Sequence, residues 1–334
     1  MNKLIPFLLV CLFVSIIFLG GCKKNESSPT SSVPTYSVTI TVVNPSGQPQ
    51  GGALVSLKNA PYDSPDFSSY TDTAGKASLK SPSGNQTFIA QIGSAFRTEV
   101  QFNVTTSAAQ NIIPTVQLTQ NTAKKVLCVQ ADAEQLEDVI SDPKIGFTTY
   151  SLVYIDTLRD QAIADSAKLL AYLQQFTIIF SNCDGGTEGD AEYAKLSRVY
   201  GRYVSGGGHM YGGHFNYYHL QRIWTSSYQI PSNFSYPAVD SISLVDNEIS
   251  KFVGFSSAYW NSTDSRNLSG YMTFSDIPSN SKIYGTIKGL NPAVDVIIEN
   301  HIGSGIYLWT DYHNQDIKDD AKLIKLVQYF LYYL

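Results

Sequence analysis

At 334 residues the chain is long enough for two domains, each with a core of its own. Charged residues make up only 15 %, and Tyr (22), Gly (24), Ser, Thr and Asn fill the surface roles that Lys and Glu usually take, a palette that suits an extracytoplasmic protein rich in β structure and loops. The formal charge of −5, with no basic stripe to neutralise phosphates, argues against a nucleic-acid partner.

The chain starts with a short basic segment, Met1-Asn2-Lys3, followed by an almost unbroken apolar run from Leu4 to Leu19 and then Gly20-Gly21-Cys22. This resembles the lipobox of bacterial lipoproteins. The resemblance implies removal of residues 1–21, diacylglycerol modification of the Cys22 thiol and, usually, acylation of the new amino terminus. Two or three acyl chains hold a protein at a bilayer without a spanning helix. The other reading is an uncleaved anchor, which an apolar run of about 16 to 18 residues just manages. Small residues directly before a Cys favour the lipoprotein. The expected address is the bacterial cell envelope, facing periplasm or exterior, with the lipid bilayer as a partner through Cys22. With Cys11 lost in the leader and Cys22 lipidated, Cys128 and Cys183 remain, and they read as two buried thiols rather than a disulfide.

Residues 22–35 carry the lipidated Cys and a Ser/Pro-rich flexible tether. From Tyr36 the pattern alternates, with Val38, Ile40 and Val42 on one face and Thr39 and Thr41 on the other. Short strands follow at Ala53–Leu57, Lys76–Leu79, Gln86–Ile92, Glu99–Val104 and Asn111–Leu118, separated by turn residues. Such spacing predicts a β-sandwich over 36–118. The order N-P-S-G-Q-P, G-A-L-V-S-L, Y-T-D-T-A-G-K-A-S-L resembles the carboxypeptidase regulatory-like, transthyretin-like fold, whose members are commonly accessory modules. Asp72 and Gly75 read as turn residues, with a calcium or carbohydrate site as the functional alternative.

After a polar linker, 119–125, strands and helices alternate from Val126. Strands are expected at Val126–Gln130, Phe147–Ile155, Phe176–Phe180 and His209–Gly212, with helices at Ala162–Gln174, Asp190–Ser205 and from Asn216. This predicts a flavodoxin-like, mostly parallel sheet with helices on both faces over 126–334. Residues 226–292, rich in Ser, Asn, Tyr and Gly, break the rhythm and read as a β/loop insertion over one sheet edge. Strands resume at Ala293–Ile298 and Gly305–Thr310, and Ile317–Leu334 is a closing apolar helix.

The stretches VLCVQAD, FTIIFSNCDGG…YVSGGGHMYGG and GSGIYLWTDYHNQ…LIKLVQYFLYYL together resemble the class I glutamine amidotransferase-like superfamily, in particular its trehalose-utilisation-type branches, over about residues 124–334. Catalytic members carry a Cys at a Gly-x-Cys-x-Gly elbow with a later His and an acid. The matching turn here is Met210-Tyr211-Gly212-Gly213-His214-Phe215-Asn216, so His214 stands about where the nucleophile belongs, and the resemblance implies a degenerate site. Cys183 lies one strand earlier, in the turn where the family carries oxyanion-hole glycines. His313 falls near the family's late His, but with no Cys at the elbow for it to activate, a strand-end hydrogen bond to backbone is the favoured reading. Asp132, Asp184 and His214 lie toward the carboxyl ends of neighbouring strands, where open α/β sheets bind ligands. His209, His214 and His219 are spaced by five, which does not match metal ligands on one helical face, and GGTEGD and SGGG lack phosphate-loop endings, so no metal, cofactor or nucleotide is expected.

The functional expectation is therefore a membrane-anchored lipoprotein with a non-catalytic binding or scaffolding role toward an envelope glycan or protein. Exposed Tyr, Trp260 and Trp309 are the aromatic candidates for such contacts. The alternative is a hydrolase using His313, His214 and Asp184, with or without a metal; a third possibility is catalysis through Cys183.

Overall fold

A computed structural model describes residues 33–132, 134–143, 145–186, 189–224, 241–246, 249–250, 253, 255–259, 277–287, 295–311 and 321–334. Cys22 and its leader, Trp260 and His313 lie outside the described residues. Among those described, no helix is long and apolar enough to cross a membrane.

Seven strands open the described chain: β1 (Thr35–Val43), β2 (Leu54–Leu57), β3 (Ser68–Tyr70), β4 (Lys76–Pro82), β5 (Gly84–Ile92), β6 (Phe96–Val104) and β7 (Ile112–Gln117). They form one sheet in the order β4-β1-β7 and another in the order β3-β2-β5-β6. Alternation drives the burial. Val38, Ile40 and Val42 of β1, Ala77 and Leu79 of β4, and Phe88, Ala90 and Ile92 of β5 are all buried, whereas their neighbours along each strand are less so. β3 is the strand that sequence periodicity misses, because Ser68-Ser69-Tyr70 is a three-residue edge with no apolar alternation. The turn before β4 has the expected chemistry: Asp72 Oδ1 accepts from the N–H groups of Ala74 and Lys76, both at 2.9 Å, and Gly75 takes φ +75°.

The second part contains β8 (Val126–Gln130), α1 (Leu136–Ser141), β9 (Ser151–Tyr154), α2 (Ile155–Leu173), β10 (Ile178–Ser181), α3 (Ala191–Ser205), β11 (His209–Gly213) and α4 (Tyr217–Ile223). It continues with β12 (Ser241–Leu244), β13 (Ser257–Tyr259), β14 (Ser281–Ile287), β15 (Asp295–Ile302), β16 (Gly305–Thr310) and α5 (Ala321–Tyr333). Helix α2 begins seven residues before the expected Ala162 and is interrupted at Asp165, whose φ/ψ of −157°/89° is not helical. Its carboxylate restarts the helix by accepting from the N–H groups of Ala167 and Lys168. Asp190 caps α3 in the same way, through Glu192 and Tyr193.

All nine strands form one sheet, ordered β13-β12-β14-β15-β16-β11-β10-β8-β9. The run β16-β11-β10-β8-β9 is parallel throughout. Numbered by appearance, those five strands lie in the order 2-1-3-4-5, the flavodoxin-like winding. The described strands of the insertion do not lie over the sheet edge. They extend it, as β14 pairs antiparallel with β15 and β12 with β14. Successive residues of the parallel strands enter opposite cores. Leu127, Val129 and Ile179 pack with α2, α3 and α4, whereas Val126, Cys128, Ile178 and Phe180 pack with α1 and α5. Burial on both faces explains why these strands read as continuous apolar runs.

The core beneath α5 is shared with the first two sheets. Phe96 of β6 lies 4.4 Å, ring to ring, from Tyr332 of α5 and 4.9 Å from Phe147. Gly93 takes φ +52° where the chain turns beneath α5, and a Cβ there would sit 1.3 Å from the Tyr332 carbonyl oxygen. The polar segment 119–125 is also held. The Gln120 side chain accepts from the N–H groups of Thr148 and Thr149 and donates to the Thr149 carbonyl.

Candidate functional site

The parallel winding reverses between β8 and β10, and the loops leaving these strands meet at their carboxyl ends. Open α/β sheets form their ligand crevices at such a reversal. Glu134, after β8, is wholly buried; its carboxylate accepts from the Cys183 N–H at 2.8 Å and its carbonyl accepts from Asn182 Nδ2 at 2.6 Å. Asn182 also accepts from the Leu136 N–H at the start of α1 and donates to Glu137, which in turn accepts from Gln130. Asn216, just before α4, donates to the Asn182 and Gly213 carbonyls and accepts from the Tyr307 hydroxyl at 3.2 Å. These side chains lace the ends of β8, β10, β11 and β16 together. Each would leave buried polar groups unpaired if truncated.

His214 follows β11 directly, at φ +28°, and is the one non-glycine with positive φ among the described residues. A short 3₁₀ turn over His214–Asn216 then leads into α4. The strand, strained turn and helix give the elbow geometry expected from the sequence, with an imidazole at its apex. Trp309 Nε1 donates to the His214 carbonyl at 2.8 Å and holds the strained residue in place. The His214 ring reaches back to the preceding turn, with Nδ1 3.5 Å from Cys183 Sγ, and its Nε2 lies 3.9 Å from Asp311 Oδ1 at the end of β16. Cys183 Sγ also accepts from the Phe215 N–H at 3.3 Å.

Three strand ends thus contribute a thiol, an imidazole and a carboxylate in line, all buried: Cys183 is 1 % exposed, and His214 and Asp311 6 % each. Burial pushes the Cys183 thiol well above its ordinary value, and the carboxylates of Glu134, Asp184 and Asp311 add to the rise against the Phe215 N–H. The thiol therefore keeps its proton at neutral pH. Cys128 is buried and raised for the same first reason, and the two cysteines form no disulfide with each other.

The other expected site residues are dispersed. Asp184 turns away from His214: one carboxylate oxygen accepts from the Gly186 N–H and the other from the Tyr193 hydroxyl at 2.8 Å. Asp132 is exposed and accepts from the Tyr154 hydroxyl, a bond that, as its largest cause, pushes the Tyr154 pKa up to about 12. His209 lies at the opposite end of β11 from His214, and His219 is buried in α4 against Ser197 and the Asp184 carbonyl. Trp309 is wholly buried, which corrects its reading as an exposed aromatic. Among the described residues no group of three or more His, Cys, Asp and Glu is placed to hold a metal ion. Glu134, Asn182, Asn216 and Asp311 are the site residues that sequence reasoning passed over. The available signal was position, since each follows a parallel strand within a few residues.

No protein-family model matches the chain, and no curated protein matches it. Solved structures that it resembles include a putative GMP synthase component from Thermoplasma acidophilum, at 10 % identity and a TM-score of 0.42, covering 64 % of this chain and 95 % of that one. A glutamine amidotransferase from Thermotoga maritima gives 12 % identity and a TM-score of 0.37, covering 64 % and 90 %. A β-galactosidase from Bacillus circulans sp. alkalophilus gives 9 % and 0.37, covering 61 % of this chain and 30 % of that one. Amidotransferase-like folds are thus among the structures it resembles. Scores this low bear on neither family nor activity.

Proposed function

We propose that the protein is a lipid-anchored lipoprotein of the bacterial cell envelope, in which a transthyretin-like sandwich and a degenerate amidotransferase-like domain bind a ligand without catalysing its turnover. The observation that carries this reading is the state of the one thiol at the crevice. A nucleophilic cysteine needs an exposed thiolate, and Cys183 is closed off, protonated by its surroundings and displaced from the elbow apex that His214 occupies. The line from Cys183 through His214 to Asp311 then serves as a brace between three strand ends.

Two measurements test the reading. In the folded protein at pH 7.5, iodoacetamide leaves Cys183 unmodified over hours, whereas in urea both Cys183 and Cys128 are alkylated, as read by peptide mass. Modification of native Cys183 within minutes, with a midpoint below pH 7, would sink the non-catalytic reading. For the anchor, Cys22→Ser abolishes incorporation of radiolabelled palmitate and releases the protein from the membrane fraction. Retention of both label and membrane association in that variant would remove the lipoprotein assignment.

The alignment itself favours a second reading, thiol-dependent hydrolysis. His214 Nδ1 is placed to take the Cys183 proton, and Asp311 faces the other ring nitrogen. That chemistry requires the loops after β8 and β10 to open and expose the sulfur, so the same alkylation experiment decides between the two.

A further inference from the structure

A groove of about 850 Å³ lies away from the strand-end crevice, between the second sheet of the N-terminal part, strand β14 and helix α5. Its floor on the sheet side follows from register. Tyr70 of β3, Leu54 of β2 and Gln91 of β5 are direct cross-strand neighbours, so their side chains stand abreast on the outward face. Tyr70 is 69 % exposed, a large apolar area left in water. On the helix side, Tyr329 and Tyr333 lie one turn apart with rings stacked at 5.9 Å and 15°. Both line the groove, and Tyr333 is 37 % exposed.

We infer that this groove binds a neutral oligosaccharide, an inference that rests on the binding reading above and supplies its ligand class. Flat aromatic faces with a polar tip suit the C–H faces and hydroxyls of a sugar ring, and the volume falls within the usual range of small-ligand sites, roughly 300–1,000 Å³. The hydrogen-bonding groups around the rings are of both kinds: the Gln91 amide donates and accepts, and the exposed Asp72 carboxylate accepts. The lysine charge on the groove is already matched internally. The Lys282 ammonium is 2.7 Å from Asp246 and lies 4.5 Å over the Tyr284 ring, leaving it poorly placed to select an anion. A peptide strand is disfavoured because the neighbouring edge, β3, offers only three residues to pair with.

The test titrates the full-length chain, held in a detergent without sugar headgroups, with maltohexaose, cellohexaose, xylohexaose and chitohexaose by calorimetry. Saturable binding of at least one is expected, weakened tenfold or more by Tyr70→Ala and by Tyr329→Ala. Tyr70 is so exposed that its truncation leaves folding intact, so a loss in that variant reports on the groove. No saturable heat with any of the four sugars overturns the inference, as does binding unchanged in Tyr70→Ala. Alkylation of Cys183 on the same preparation reports separately on the non-catalytic reading. A reactive thiol beside intact sugar binding removes that reading alone, and an inert thiol without sugar binding removes the ligand class alone.

Discussion

Tyr332→Ala lowers the unfolding free energy of the full-length chain by about 4 kcal/mol, the usual range for truncating a buried aromatic ring. The residue has no exposed surface, its ring packs on Phe96 and Phe147, and its hydroxyl donates to the Ile145 carbonyl. The ring therefore closes a gap between β6 of the first part and the loop after α1 of the second. Truncation leaves a cavity that neither side can fill alone. Tyr332→Phe keeps the ring and loses one hydrogen bond, so its expected cost is only about 1 kcal/mol. Urea denaturation with constant m-values measures both, and a Tyr332→Ala variant within about 1 kcal/mol of the parent would show that the shared core contributes little.

The second large effect is acid destabilisation through His219. Complete burial is the leading cause that holds this imidazole at about 3, with the Arg222 charge adding to it. Its Nε2 lies 3.2 Å from the Asp184 carbonyl and its Nδ1 2.7 Å from Ser197 Oγ, so in the neutral ring the carbonyl holds the proton on Nε2. Above pH 6.5 the ring is neutral in both folded and unfolded chains and costs nothing. As the pH falls below 6.5 the unfolded chain takes up a proton that the native ring refuses until about pH 3. Stability from this one group consequently drops by about 3 kcal/mol between roughly pH 6.5 and pH 4. His219→Gln removes the titration, so the difference between parent and variant stability curves isolates it. Parallel curves over that interval would mean that the ring is protonated in the native state.

Much of the fold is legible in the residues because the controlling signals are local. Period-two alternation in TYSVTITVV and the unbroken apolar runs VLCVQ and IIFS report one-sided and two-sided burial directly. Asp190 marks the start of α3 for a similarly local reason. The early start of α2 was hidden because its break at Asp165 splits the apolar pattern in two. The elbow at His214 was readable from its glycines, yet its partners were not. Asp311 and Glu134 belong to loop ends with no periodicity, and Glu134 meets Cys183 from 49 residues away. Trp309 was misassigned although β16 reads as a two-sided apolar run, which already implied burial on either face. The groove beside Tyr70 had no sequence signature at all, since its walls come from a sheet, a strand and a helix distant in sequence, meeting where the Gly93 turn passes under α5.

That turn bears on how the polypeptide matures. Ser94 donates its hydroxyl to the Leu334 carbonyl, a bond that spans 240 residues, beside Phe96 and Tyr332. During synthesis the first seven strands emerge early, but the face of Phe96 that packs on Tyr332 stays uncovered until α5 leaves the ribosome. A nascent chain of this protein thus carries a sticky, half-finished surface from the emergence of β6 until α5 follows. Loss of the α5 aromatics would therefore damage the first sheets as much as the helix that carries them.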